Sequence, residues 1–191
     1  GKQVTPEIME VLGWLTGDGN IAKKGDYERN VNSFRLYYHH EKEQDIWNKH
    51  FEILNRFGIN CKQYKREINK EEAEQIKETY GFKNCASFRI GVDSYDAEFV
   101  NWLLSLGFSS SKSGKKIPSM FFTLPTTLKT SFLKGFFSAD GNNAAGSNPM
   151  ITIANDSLRK QTRERLLTVG IRTTSTEGVS TGRFGTSKKP T

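Results

Sequence analysis

The sequence predicts a mixed α+β fold built from two related halves. An apolar run with matched small residues ends in Asp-Gly at two places, 11–19 and 133–141. Each copy is followed by segments that alternate between the patterns of strands and helices. The two copies start about 120 residues apart, and self-similarity at that distance indicates a fold made of repeated units.

Each copy of the pattern is predicted to be a helix that ends at its Asp. For the first helix, Thr5 suits the N-cap, Pro6 suits the first turn and the acidic Glu7 follows. This helix is expected to end at Asp18. The second is expected over 126–140, so both copies place a carboxylate at a helix C-terminus.

Small residues recur at a spacing of four in both helices, which places them on one helical face. Another backbone can approach such a face closely, so the two helices are expected to pack against each other. Asp18 and Asp140 would then lie side by side. The expected helix-interface residues are Gly13, Gly17, Gly135 and Ala139.

Two neighbouring acids at helix C-termini are electrostatically unfavourable, because that end of a helix carries partial negative charge. Asp18 and Asp140 should therefore raise each other's pKa unless a cation lies between them. A divalent metal with oxygen ligands, Mg²⁺ by default, would relieve the repulsion. Gly19 and Gly141 are predicted to close the helices in a left-handed conformation. Either copy alone would also fit an ordinary amphipathic helix with an Asp-Gly turn; the matched pair favours the metal site.

The remaining pattern divides the chain into a longer first half and a shorter second half. In the first half, strands are predicted at 20–24, 33–38, 59–68 and 87–92, and helices at 41–57, 69–78 and 96–106. The second half has strands at 142–145 and 150–154, a helix at 156–169 and a further element at 172–176. It lacks a counterpart of the last strand and helix, so we expect it to be incomplete. The boundaries are 1–111 for the first half, 112–125 for the linker and 126–191 for the second half.

Composition indicates a polyanionic partner. The chain has 28 Lys and Arg against 21 Asp and Glu, a net charge of +7 over 191 residues. The surplus is concentrated in 141–191, where eight basic and three acidic residues give +5. No apolar run reaches the length of about 20 residues that a membrane span needs. The two cysteines form no CxxC pair, so a reducing, cytoplasmic setting is expected.

A third motif precedes the second helix: Lys115-Lys116-Ile117-Pro118. With the two Asp-Gly helices in this order, the chain resembles the LAGLIDADG (dodecapeptide) homing endonucleases, particularly the two-motif type found in inteins. The motif that this family carries ahead of its second helix is Lys-x-Ile-Pro. The resemblance extends from Thr5 to about Thr176.

The resemblance implies a pseudo-symmetric fold of two αββαββα-like halves, whose antiparallel sheets form a saddle on the DNA major groove. It implies cleavage of both strands of a specific double-stranded DNA target by a monomer associated with the nucleoid. Asp18 and Asp140, with the adjacent Gly17 and Ala139, would form the metal site for Mg²⁺, for which Mn²⁺ could substitute. Lys115 would be the catalytic lysine, with Lys116 as the alternative. A non-catalytic DNA-binding module with the same fold, as in regulators and maturases, stays open.

Long polar side chains on and beside the predicted strands are the candidate DNA contacts. Arg suits guanine edges, Asn suits adenine, and Lys more often contacts phosphate. In the first half the candidates are Lys23, Lys24, Arg29, Asn32, Arg35, Tyr37, Lys62, Lys65, Arg66 and Arg89. In the second half they are Asn142, Asn143, Asn148, Thr152, Arg172 and Arg183.

Overall fold

A computed structural model describes residues 3–25, 32–80, 88–109, 115–142, 148–153 and 155–176. The helices are α1 Pro6–Asp18, α2 Gln44–Arg56, α3 Lys70–Tyr80, α4 Ala97–Ser105, α5 Thr126–Asp140 and α6 Asp156–Leu167. The strands are β1 Gly19–Ala22, β2 Ser33–Tyr38, β3 Cys61–Glu67, β4 Phe88–Ser94, β5 Gly141–Asn142 and β6 Met150–Ile151. A short 3₁₀ helix, Ser119–Thr123, precedes α5.

The first-half strands form one antiparallel sheet in the order β1-β2-β4-β3. Since β3 and β4 are neighbours, α3 is inserted between two paired strands. In the second half, β5 and β6 form a separate two-stranded antiparallel sheet. The mixed α+β class with antiparallel sheets is therefore confirmed, and the predicted helices and strands lie within a few residues of the observed ones.

Local sequence explains where several helices begin. The Thr5 hydroxyl accepts the Ile8 backbone N–H at the start of α1. The Asp96 carboxylate accepts the Phe99 N–H at the start of α4. Each side chain satisfies an N–H group that the first helical turn leaves without an intrahelical partner.

Helix α1 lies at the centre of the molecule and is buried on nearly all sides. Ile8 and Trp14 are fully buried, and the Trp14 indole N–H donates to the Tyr37 carbonyl oxygen at 3.0 Å. One side of α1 faces the sheet, where Leu36 and Val92 are also fully buried. Among the described residues, no helix is long and apolar enough to cross a membrane.

Backbone contact between α1 and α5 confirms the predicted helix pairing. A Cβ atom on Gly13 would lie 1.9 Å from the Phe132 carbonyl oxygen. A Cβ atom on Gly135 would lie 1.9 Å from the Glu10 carbonyl oxygen. Both distances are far below van der Waals contact, so at these two positions only glycine fits.

The predicted left-handed closure of the two helices is wrong. Gly19 has φ −121° and Gly141 has φ −79°, so each helix passes directly into an extended strand. Glycine is needed there because of space: a Cβ atom would lie 2.5 Å from the Leu15 carbonyl oxygen at Gly19 and 2.2 Å from the Phe137 carbonyl oxygen at Gly141.

The element predicted at 172–176 is also wrong, because these residues form neither helix nor strand. Gly170, with φ +81°, ends the turn after α6, and the Ile171 N–H bonds back to the Leu166 carbonyl oxygen. A strand at 172–176 would need a hydrogen-bonding neighbour, and the described β5–β6 pair does not supply one.

Replacing Gly13 with Ala should separate α1 from α5. We expect a loss of at least about 3 kcal/mol in the free energy of unfolding, because the added methyl meets backbone that cannot rotate away. Urea unfolding measures it. Thr127→Ala, at an exposed position of α5, is the control and should change stability by less than about 0.5 kcal/mol. Equal stability of the two variants would contradict the close packing.

Candidate functional site

The two acidic helix ends meet. A Cβ atom on Gly17 would lie 2.6 Å from Ala139 Cβ and 3.2 Å from an Asp140 carboxylate oxygen. The Asp140 side chain therefore lies against the last turn of α1, next to Asp18. The predicted proximity of the two acids is confirmed, and it follows from the small residues that precede them.

Lys115 reaches the same place from the segment ahead of α5. Its Nζ donates to the Gly17 carbonyl oxygen at 2.5 Å. Neither α1 nor α5 has a basic residue in its last turn, so Lys115 brings positive charge to this helix end. The segment is anchored by the buried Ile117, whose N–H donates to the Gln161 side-chain oxygen at 2.8 Å.

Burial raises the pKa of both carboxyl groups, and charge repulsion adds to the effect at Asp18. The pKa of Asp18 is raised to about 7, first by burial, then by the charges of Asp140 and Glu43, and Lys115 acts in the opposite direction. Burial also raises the pKa of Asp140, again opposed by Lys115. One lysine therefore does not compensate two carboxylates, and a further cation would be stabilised here.

The donor set fits a hard divalent cation that keeps part of its water shell. No group of three or more His, Cys, Asp and Glu residues that could hold a metal occurs in the part of the chain that the structure describes. At this site Asp18 and Asp140 would supply two carboxylate ligands, leaving other positions to water or to phosphate oxygens. Mg²⁺ is commonly bound in this way. The carbonyl of Gly17, placed in the metal site by the sequence, is engaged by Lys115.

The sheet has one face against the helices and one open face. Side chains alternate along a strand, and the buried Phe34, Leu36, Ile90 and Val92 mark the helix side. The pairing register then assigns the intervening residues to the open face. These residues include Asn20, Arg35, Tyr37, Lys62, Tyr64, Arg66, Arg89, Gly91 and Asp93.

Arg35 is held at the centre of this open face. Its Nε and one Nη donate to the two carboxylate oxygens of Asp93, both at 2.5 Å. The guanidinium carbon lies 5.3 Å from the centre of the Tyr64 ring. The hydrogen bonds to Asp93 raise the pKa of Arg35, and burial raises the pKa of Tyr64 to about 12. Arg35 is thus a fixed, charged donor.

A second ion-pair group lies at the β3–β4 end of the open face. Arg66 and Arg89 are directly opposite each other on the two strands. Glu72, in the first turn of α3, accepts from Arg66 at 2.7 and 2.8 Å and pairs with Arg89 at 3.2 Å. The hydrogen bonds from Arg66 lower the pKa of Glu72.

Several predicted DNA contacts lie elsewhere. Lys65 is on the helix side of β3, with its Nζ 4.6 Å from the centre of the Phe88 ring. The Asn32 side chain accepts the Lys24 backbone N–H at 2.7 Å and donates to Asn101 at 2.8 Å, so it ties β2 to α4. Lys23 and Lys24 are exposed at the end of β1.

In the second half, Asn142 lies on β5, while Asn148, Thr152 and Arg172 lie outside helices and strands, and all four are exposed. Arg29, Asn143 and Arg183 lie outside the described residues. The structure therefore brings Arg35, Tyr37, Lys62, Arg66 and Arg89 onto one surface and does not join the second-half candidates to it.

Sequence reasoning missed the residues that organise the open face. Tyr64, Asp93 and Asn20 share it with the predicted arginines, and Glu72 holds two of those arginines. Alternation along the strands could have found Tyr64, since Lys62 and Arg66 flank it at the same parity. The ion pairs join residues far apart in sequence and have no local signal.

Comparison with known proteins agrees with this architecture. Residues 127–188 match the family model described as the LAGLIDADG-like domain. The chain has the LAGLIDADG homing endonuclease fold. It superposes on I-DmoI in complex with DNA and Mn with a TM-score of 0.58 at 14% identity, covering 88% of this chain and 80% of that one. For I-DmoI in complex with DNA and Ca the TM-score is 0.59 at 15% identity, with 88% and 74% covered.

Similar curated proteins are much longer than this chain. A DNA polymerase of Thermococcus sp. strain GE8 is 27% identical over 172 residues, which is 88% of this chain and 9% of the polymerase. A tRNA-splicing ligase RtcB of Pyrococcus furiosus is 31% identical over 138 residues, 71% of this chain and 13% of the ligase. The RtcB of Pyrococcus abyssi is 27% identical over the same length. The chain thus spans about a tenth of the length of these relatives.

Asp18→Asn should stabilise the metal-free protein, and the gain should depend on pH. The pKa of Asp18 is about 7 when folded against 3.8 for an unperturbed group, so only the unfolded state loses this proton as pH rises between those values. Parent stability therefore falls from about pH 4 to pH 7 and then levels off. At pH 8 we expect Asp18→Asn to gain about 2 kcal/mol or more, and near pH 4 almost nothing.

Urea unfolding at a series of pH values, with EDTA present, measures this difference. Asp45→Asn, at an exposed position in the first turn of α2, is the matched control and should lose a few tenths of a kcal/mol at most. A gain for Asp18→Asn that stays constant across the pH range would contradict the raised pKa.

Proposed function

We propose that this protein is an intein-derived, site-specific endonuclease that cuts both strands of DNA with the help of a divalent metal ion. The observation that carries the proposal is the meeting of Asp18, Asp140 and Lys115 at the paired ends of α1 and α5. The strand β1 extends directly from α1 and belongs to a sheet whose open face carries arginines.

The acidic group suits phosphodiester hydrolysis. Asp18 and Asp140 would hold Mg²⁺, or Mn²⁺ in its place, and the adjacent Gly17 and Ala139 bring the two helix ends into close contact. When bound, such ions supply an activated water and stabilise the leaving 3′ oxygen. The carboxylates must be ionised to bind a metal, so acidification below about pH 7 should weaken binding.

Lys115 supplies the positive charge that the protein itself brings to the reaction. Its ammonium group is fixed by the Gly17 carbonyl and lies close enough to both acids to lower the pKa of each. From this position it can polarise a water molecule or stabilise negative charge on the scissile phosphate. The segment that carries it is anchored independently of the acids, through Ile117.

Double-stranded DNA is the proposed partner of the open sheet face. Arg35, Arg66 and Arg89 are held there by carboxylates, and Lys62 adds an exposed charge on β3. Fixed arginines suit the acceptor pattern of base edges, and the net charge of +7 favours a polyanion. I-DmoI, which has the same fold, binds DNA. We propose that the protein acts as a monomer whose two halves together make one site, and that it works in the cytoplasm at the nucleoid.

The relatives support an origin as an insertion in other genes. A DNA polymerase and a tRNA-splicing ligase have unrelated activities, yet each contains a segment similar to this chain that makes up about a tenth of its length. An intein-borne endonuclease carried from host to host explains why one sequence pattern occurs inside both. The activities of the host proteins are not implied for this chain.

Removing either acid should abolish cleavage and spare DNA binding. The Asp18→Asn and Asp140→Asn variants, alone and together, keep the side-chain volume and remove the charge that would hold the metal. We expect at least a 10²–10³-fold loss of cutting, the scale reported for losing one preorganised stabilising group. Mg²⁺-dependent cleavage of a plasmid library with randomised targets measures cutting, and a gel-shift assay measures binding.

Cuts made by the parent and absent from the double variant would establish the nuclease and reveal its target. Salt-sensitive binding without any cut would instead favour a non-catalytic DNA-binding module. A loss of binding as large as the loss of cutting would contradict the role assigned to the acids.

Lys115→Met should also abolish cleavage while leaving DNA affinity within about twofold, since a single lysine is a small part of a multi-contact interface. Lys116→Met is the matched control, because it removes the same charge from the adjacent, exposed position. We expect Lys116→Met to cut at nearly the parent rate on the target found in the library screen. The reverse result would assign the catalytic role to Lys116.

A further inference from the structure

The open sheet face carries two arginines that are paired with each other across neighbouring strands. Arg66 and Arg89 are directly opposite each other on β3 and β4, and like charges in that arrangement repel. Both side chains are about half exposed, at 53% and 42%. Arg66 lies on β3, the far edge strand of the sheet from β1, at three strand spacings or about 14 Å, and Arg89 lies on the neighbouring β4.

Glu72 resolves this repulsion from outside the sheet. One carboxylate oxygen accepts a hydrogen bond from Arg66 and forms an ion pair with Arg89, and the other accepts from the second Arg66 nitrogen. The Glu72 side chain is only 20% exposed, although it belongs to a short surface helix. Its backbone N–H is held by the Asn69 side-chain oxygen at 2.8 Å, which fixes the first turn of α3.

This arrangement treats the two kinds of DNA acceptor differently. A phosphate oxygen is anionic, so to engage the outer nitrogens of Arg66 it must displace the Glu72 carboxylate or approach it closely. That contact exchanges one anion for another and gains little. A base edge is neutral, and it can accept from the remaining N–H groups while Glu72 stays in place. The carboxylate thus penalises the contact that carries no sequence information.

We propose that Glu72 is a specificity-determining residue, which withholds Arg66 and Arg89 from sequence-independent phosphate contacts and leaves them available to base edges. The proposal rests on the DNA-binding function proposed above. Glu72 would then create specificity by weakening contacts with phosphate rather than by strengthening contacts with base edges. Asp93 pairs with Arg35 on the same face through two hydrogen bonds, so the device occurs twice.

The test uses Glu72→Gln and a random-sequence DNA duplex. Glutamine keeps the shape and an acceptor oxygen but removes the charge, which frees Arg66 and Arg89 for phosphates. We expect affinity for the random duplex to rise about three- to tenfold near 0.1 M salt, and the slope of log affinity against log salt to steepen by about one to two. Fluorescence anisotropy across about 50–200 mM KCl measures both.

Glu71→Gln is the matched control. Glu71 is the adjacent, exposed residue of α3, so its replacement changes the net charge equally and should alter affinity less than twofold. Adding Arg66→Gln to Glu72→Gln should remove most of the gain. Thermal unfolding of each variant verifies that α3 and the sheet remain folded.

Each outcome decides between the alternatives. A gain confined to Glu72→Gln supports the proposal. Equal gains in both variants would overturn it in favour of a general charge effect. Weaker binding by Glu72→Gln would also overturn it, because Glu72 would then position the arginines for phosphate. If the parent itself shows no salt-dependent DNA binding, the proposed function fails. If the parent binds DNA but Glu72→Gln binds no more tightly, only the role proposed for Glu72 is overturned.

Discussion

The backbone contact between α1 and α5 is the constraint on which the rest of the molecule depends. Gly13 and Gly135 let the two helices approach until carbonyl oxygens occupy the positions of the missing side chains. That approach brings Asp18 and Asp140 together, and it forces a charge arrangement that costs stability in the absence of a cation. Packing energy from the surrounding core, with Trp14 at its centre, maintains the arrangement. The proposed metal chemistry therefore depends on the steric fit of two glycines, each against the backbone of the other helix.

Carboxylates have opposite roles in the two parts of the molecule. At the helix ends, Asp18 and Asp140 exceed the positive charge that Lys115 supplies, and under the proposed function this excess would favour a bound metal. On the open sheet face, Glu72 and Asp93 are outnumbered or matched by arginines, which they hold in place. The first pair of carboxylates would attract a cation from solution, and the second pair holds arginine side chains of the protein itself in place.

The sequence predicted the features that depend on local pattern. Matched small residues located the helix contact, and the strand alternation of 33–38 placed Arg35 and Tyr37 on one face. The predicted left-handed conformation of Gly19 and Gly141 was wrong. Asp-Gly is typical of turns, but here glycine is required because a side chain would collide with the backbone of Leu15 and Phe137. The clustering of Arg35 with Asp93, 58 positions apart, depends on strand order and register. Lys65 was placed among the DNA contacts for the same reason, because the side of the sheet on which it lies depends on the pairing of β3 with β4.

Each acidic helix end passes into a strand without a loop: Asp18 is followed at once by β1, and Asp140 by β5. A loop would let the reactive centre shift relative to the surface that recognises the ligand, and here no such hinge exists. In a protein that reads DNA with its strands, the position of the cut along the double helix is then a fixed offset from the bases that are read. Changes in surface side chains could give such a protein a new recognition sequence, but they could not move the cut within it.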